Sequence, residues 1–145
     1  MKYLRALACV LAILAPAAFG LADSSDEALV RETVQKYLHG LQYNDVASLK
    51  AAFLPEAKLY FVKKDGSLGQ LSQEDWYKGF AASAGKKEEG DLAITAMDVT
   101  GDVASVKVRE DYPGSIYTDY VSLVKLPEGW RIVNKIYTFE KKAKK

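Results

Sequence analysis

A chain of 145 residues with 49% apolar residues and a formal charge of +1 is sized and composed for one domain with a substantial core. Its near-neutral balance argues against a nucleic-acid partner. A single cysteine, Cys9, and a single histidine, His39, exclude a disulfide framework and leave no ligand pair at zinc spacing, so neither metal nor cofactor is expected.

Lys2 and Arg5 begin a short basic start, Leu4 to Leu14 is an almost unbroken apolar run, and Ala15-Pro16-Ala17-Ala18 follows. This is the layout of a secretory signal peptide, expected to be cleaved after Gly20 or Ala22. The apolar run is about a dozen residues, short of the roughly 18 to 20 that span a bilayer, so no stable membrane anchor is expected. The organisation predicted is a signal over 1–22, one domain over 23–140 and a basic tail over 141–145, in a periplasmic or secreted protein. Cleavage would remove Cys9 and take the charge to about −1.

Ser24 and Glu27 have capping-box spacing, and Val30, Val34, Tyr37, Leu38 and Leu41 recur at helical intervals. Arg31, Glu32, Gln35, Lys36, His39 and Gln42 fall on the other side, which predicts an amphipathic helix with His39 in solvent. Asn44-Asp45 can cap a short second helix carrying Val46, Leu49 and Phe53, ended by Pro55. Ala57 to Val62 reads as a strand, and 63–66 as its turn. A third helix is expected from Ser72 through Trp76, Phe80 and Ala84 to Gly85, and 86–90 is a charged loop.

The pattern then changes to alternation, with strands over 92–100, 103–112, 116–126 and 130–139 separated by short Gly- and Pro-containing turns. Helices first and an antiparallel meander last predict an α+β fold, its N-terminal helices packed in a strongly curved sheet. If the last hairpin closes at Leu126 and Trp130, Val121, Leu123, Val133 and Tyr137 share one face, and Tyr120, Val124, Ile132 and Ile136 the other. Two apolar faces predict that one covers the helices and the outer one a second subunit, giving a homodimer.

The order of several segments carries a resemblance: 34–41 leading to Asn44-Asp45 and Leu49, then 53–57, Trp76, 117–120 and 129–135. Together they resemble the nuclear transport factor 2-like (cystatin-like) superfamily, nearest to the lumazine-binding family and more distantly to ketosteroid isomerase and scytalone dehydratase. The resemblance implies a cone-shaped fold with a one-ended pocket. In the isomerase branch a tyrosine on the first helix and a protonated aspartic acid on the second-last strand bind an enolate oxygen, while a separate carboxylate moves the proton. Tyr37 and Asp119 match the first two, but Phe61 stands where the base would be.

In the expected register Lys135 is diagonal to Asp119, which favours an ion pair over an oxyanion hole. Glu110 shares the apolar side of its strand with Tyr112, as a displaced base or as a rim residue reaching water. Tyr37 has an equally plain reading as a core residue. The leading expectation is an exported protein binding a small apolar or aromatic molecule among Tyr37, Tyr60, Trp76, Tyr112, Asp119, Lys135 and Tyr137, with Trp76 as gate. The alternatives are an isomerase or dehydratase using Glu110 or Asp119 with Tyr37, and an interaction module using the outer sheet face.

Overall fold

A computed structural model describes residues 24–143; the expected signal segment and cleavage site lie outside the described residues. Helix α1 (Ser24–Gln42) and helix α2 (Val46–Ala52) come first, then strands β1 (Phe53–Val62) and β2 (Leu68–Ser72). Helix α3 (Gln73–Lys78) and a 3-10 turn (Ala81–Ser83) lead into β3 (Asp91–Thr100), β4 (Val103–Tyr112), β5 (Ser115–Leu126) and β6 (Gly129–Lys141). The expected α+β architecture is present: one six-stranded sheet, in the order β2-β1-β6-β5-β4-β3, curves around the helices.

The apolar stripe of α1 is what the sheet wraps. Val30, Val34, Tyr37 and Leu41 are buried with Val106, Val108, Val121, Leu123, Trp130 and Ile132 from β4, β5 and β6. Asp26 ties the start of the helix to the last hairpin, accepting from Trp130 Nε1 at 3.2 Å and pairing with Lys125 Nζ at 2.8 Å. Helix α2 starts where Asp45 accepts from the Ala47 amide, as its cap spacing predicts.

Several expectations need correction. Phe53 belongs to β1, not α2, and Pro55 lies inside that strand. The register between β1 and β6 is broken between Phe53 and Lys58, and such an irregularity tolerates a residue that cannot donate to the ladder. The sheet is mixed, because β1 runs parallel to β6; the pairing joins residues 76 to 79 positions apart, from Tyr60 with Ile136 to Phe53 with Ile132. β2, to which the sequence pattern assigns no strand, is an edge strand paired with β1. α3 ends at Lys78, much earlier than expected. β6 continues to Lys141, and the Lys142 amide bonds Gly114 O at 3.1 Å, so this part of the expected tail is structured.

The most consequential correction is a bulge in β6. Leu123 pairs with Ile132 but Ser122 pairs with Asn134, so Val133 is the extra residue. Ile132, expected outside, is fully buried, and Val133 leaves the core. Beyond the bulge the phase is restored: Asp119 faces Tyr137 and Val121 faces Lys135, all on the concave side.

Candidate functional site

Four polar side chains meet in the concave interior. Tyr37 comes from the middle of α1, Glu110 from the end of β4, Asp119 from β5 and Lys135 from β6, with exposures of 0%, 3%, 0% and 4%. Lys135 Nζ lies 2.7 Å from Asp119 Oδ2 and 3.7 Å from Glu110 Oε1, and it donates to the Tyr37 hydroxyl at 2.6 Å. The same hydroxyl stands 2.9 Å from Glu110 Oε1 and in a short hydrogen bond to Asp119 Oδ2.

One hydroxyl hydrogen cannot serve both carboxylates, so a second proton belongs in the cluster. It sits on Glu110. Burial raises this carboxyl, and although Lys135 pulls the other way, the nearby Asp119 carboxylate adds to the rise and its pKa reaches about 8. Burial works against the Lys135 ammonium, but Asp119 beside it, joined by Glu110 once that group is ionised, outweighs it and holds the group charged. Burial and the two carboxylates keep the Tyr37 proton on its oxygen well above the ordinary range. At neutral pH Glu110 is therefore the neutral acid of the cluster, Lys135 its ammonium and Tyr37 its phenol. A buried pair with no net charge is the arrangement that a low-dielectric interior tolerates.

Above this cluster is a cavity of about 410 Å³. Glu110 and Lys135 reach it from below, and Trp76, Tyr112, Tyr117 and Tyr137 stand around it. Lys135 is boxed by rings, with Nζ 4.9 Å from the Tyr137 centroid and 5.4 Å from that of Trp76. Of the seven residues expected to line a pocket, Trp76, Tyr112, Lys135 and Tyr137 do so. Tyr37 and Asp119 do not: they lie beneath it and act on it only through Lys135 and Glu110. Tyr60 faces away, into a shallow apolar groove on the convex side with Tyr120 and Ile136, because Leu59 takes the inward position on β1.

Trp76, expected as a gate, stands in the cavity wall, packed against Phe53 at 5.4 Å and Tyr37 at 6.2 Å. Phe61, which the resemblance sets at the position of the isomerase base, packs against Tyr137 in a tilted arrangement at 5.3 Å, and its ring covers Gly69 of the neighbouring strand so closely that a Cβ there would lie 2.5 Å from it. Of the two carboxylate candidates from sequence, Glu110 and Asp119, Glu110 is the one that reaches the cavity.

Sequence reasoning missed Asn44 and Glu88 on the cavity wall. Asn44 takes a left-handed backbone (φ 51°) just past α1, and its Nδ2 donates to Lys86 O at 2.9 Å and Glu88 Oε1 at 3.1 Å. These bonds, with Glu88 N donating to Gln42 O at 2.7 Å, pin the charged loop beside the cavity. The signal was an Asn directly after a helix, which favours this conformation. What it would hold could not be read.

Helices cradled in a curved mixed sheet over an interior cavity define the nuclear transport factor 2-like class. The chain belongs to the family described as "Putative lumazine-binding", whose model matches residues 25–138. Among solved structures it is similar to a nuclear transport factor 2-like protein of unknown function from Shewanella baltica, with 25% identity, TM-score 0.73, and coverage of 80% of this chain and 94% of that one. A second such protein, from Silicibacter pomeroyi, is 24% identical with TM-score 0.71, covering 81% of this chain and 98% of that one. A cystatin-like fold protein of Burkholderia xenovorans is 19% identical, covering 83% and 96%, with TM-score 0.64. Among curated proteins, the chain is 26% identical over 115 residues to an aldolase, FrzH, of a Cladobotryum species, covering 79% of this chain and 91% of that protein.

Proposed function

We propose that this protein binds a small molecule with a flat or apolar body and a polar head, held in the cone. The observation that carries this reading is the pairing of ring walls, Trp76, Tyr112, Tyr117 and Tyr137, with two buried hydrogen-bond donors at the deep end, Lys135 and protonated Glu110. A carbonyl, carboxylate or enolate oxygen suits those donors. The family label is consistent with a small ligand. Native mass spectrometry of the purified protein tests it: a retained small molecule is expected, lost when Tyr112→Ala and Tyr137→Ala open the walls. A protein that retains no molecule and binds none from an aromatic carbonyl library would remove the proposal.

A second reading is favoured by Glu110 itself, a carboxyl with a pKa of about 8 that meets the cavity. In its ionised form Glu110 would take a proton from the carbon beside a carbonyl, the C–H electron pair would form the carbon–carbon double bond as the carbonyl π pair moves to oxygen, and the Lys135 ammonium would hold the resulting enolate. Asp119 is unsuited as base, being paired with Lys135 beneath the cavity. The name of the FrzH relative fits enolate chemistry. Deuterium exchange into a panel of ketones, followed by NMR, tests this reading; Glu110→Gln should stop any exchange. An exchange rate equal to that of buffer would remove it.

The proposal includes export, on the leader-like start of the chain, and a homodimer through the convex sheet face, where Tyr120 and Ile136 are exposed. Cell fractionation tests the first.

A further inference from the structure

We infer that the open end of the cone carries a second subsite, built for the anionic end group of an elongated ligand whose body lies in the deep cavity; this rests on the binding reading above. A second cavity, of about 460 Å³, lies next to the first, and Tyr117 and Tyr137 line both. Its rings form a run: Phe61 to Tyr137 at 5.3 Å, Tyr137 to Tyr117 at 6.3 Å and Tyr117 to Phe139 at 5.0 Å. Phe139 is 51% exposed, too far from the core to be serving it.

The charge at this site has one sign. Lys63 and Lys64, from the turn between β1 and β2, are the only charged residues among those lining it. Neither is in an ion pair among the described residues. The one carboxylate of that turn, Asp65, is occupied within it, its Oδ1 accepting from the Ser67 amide at 2.9 Å and the Ser67 hydroxyl at 2.7 Å. The turn is closed by Gly66 N to Lys63 O and Lys63 N to Ser67 O, both 2.9 Å, which holds the two lysines at the end of the aromatic run. An apolar strip leading to two unpaired ammonium groups fits an aromatic or long apolar acid, with its carboxylate, sulfonate or phosphate at the lysines and the opposite end among Trp76, Tyr112 and Lys135.

Two fluorescent probes of similar body test this, anilinonaphthalene sulfonate and the uncharged phenylnaphthylamine, titrated by fluorescence into the full chain. The wild type is expected to bind both. The double variant Lys63→Ser/Lys64→Ser should weaken the sulfonate about tenfold and leave the neutral probe unchanged, as two exposed charge contacts imply. Added salt should weaken the sulfonate alone. Equal affinities of wild type and variant for the sulfonate overturn the subsite while leaving the cone reading intact. Parallel loss of both probes also overturns it, because the lysines would then be supporting the fold. Loss of sulfonate binding in Tyr120→Ser, but not in the lysine variant, puts the probe on the convex face and overturns it. If neither probe binds the wild type, the subsite is overturned, while the cone reading stands or falls on its own test by native mass spectrometry.

Discussion

Glu110 shows how a single side chain in this interior links stability to pH. Its ordinary value of 4.5 is raised to about 8 in the folded protein, so between those values the folded state keeps a proton that the unfolded chain has released. Stability from this group is full below about pH 4.5, falls as pH rises at up to about 1.4 kcal/mol per unit, and is gone above about pH 8. Urea unfolding between pH 5 and 8.5 should show the wild type losing on the order of 3 kcal/mol more than Glu110→Gln, which has no proton to release. Parallel curves for the two proteins would mean that Glu110 does not hold this proton. Its neighbour Lys135 was placed beside Asp119 by strand alternation alone. That Glu110 would join them was not legible, because it needs the third strand and the helix to arrive at the same point.

At the level of elements, the loop over 86–90 owes its position to one residue outside it. Asn44 both adopts the left-handed turn after α1 and spends its amide on Lys86 O and Glu88. Asn44→Gly keeps the backbone conformation and removes the two bonds, which predicts a loss of about 1–2 kcal/mol and faster amide exchange over 86–90. Exchange unchanged from wild type would assign the loop's order to the Glu88 to Gln42 backbone bond instead. The bulge at Val133 is a device of the same rank: one extra residue lets Ile132 fill the core near the turn while Lys135 and Tyr137 still face the cavity. Period-two reading of the hairpin gave the correct phase beyond the bulge and the wrong one before it, since alternation contains no mark of an inserted residue.

For the molecule as a whole, the convex sheet face is the surface on which the proposed homodimer rests. Tyr120 and Ile136 are adjacent cross-strand neighbours, 45% and 52% exposed, beside a groove that also takes Tyr60 and Leu68. Lys107 lies over the Tyr120 ring at 5.5 Å, so the patch has a polar border. If two copies bury this face, sedimentation equilibrium should give a dimer for the wild type and a monomer for Ile136→Glu, with the thermal transition of the variant becoming independent of concentration. A wild type that stays monomeric at high concentration would remove the homodimer and leave the face for another protein.

The amphipathic stripe of α1, the caps at Asp45 and Ser72 and the four alternating strands could all be read along the chain, because each depends on residues within a turn or a strand of one another. They sufficed for the α+β class, while the family came from the resemblance carried by segments such as 34–41, 117–120 and 129–135. The parallel partnership of β1 with β6, the bulge at Val133 and the outward turn of Tyr60 depend on which distant strand lies alongside, and local periodicity carries no information about that. The site follows the same division. Tyr37, Asp119 and Lys135 could be named from their own strands and helix, but their burial beneath the cavity and the raised pKa of Glu110 come from desolvation, which exists only once the cone has closed around them.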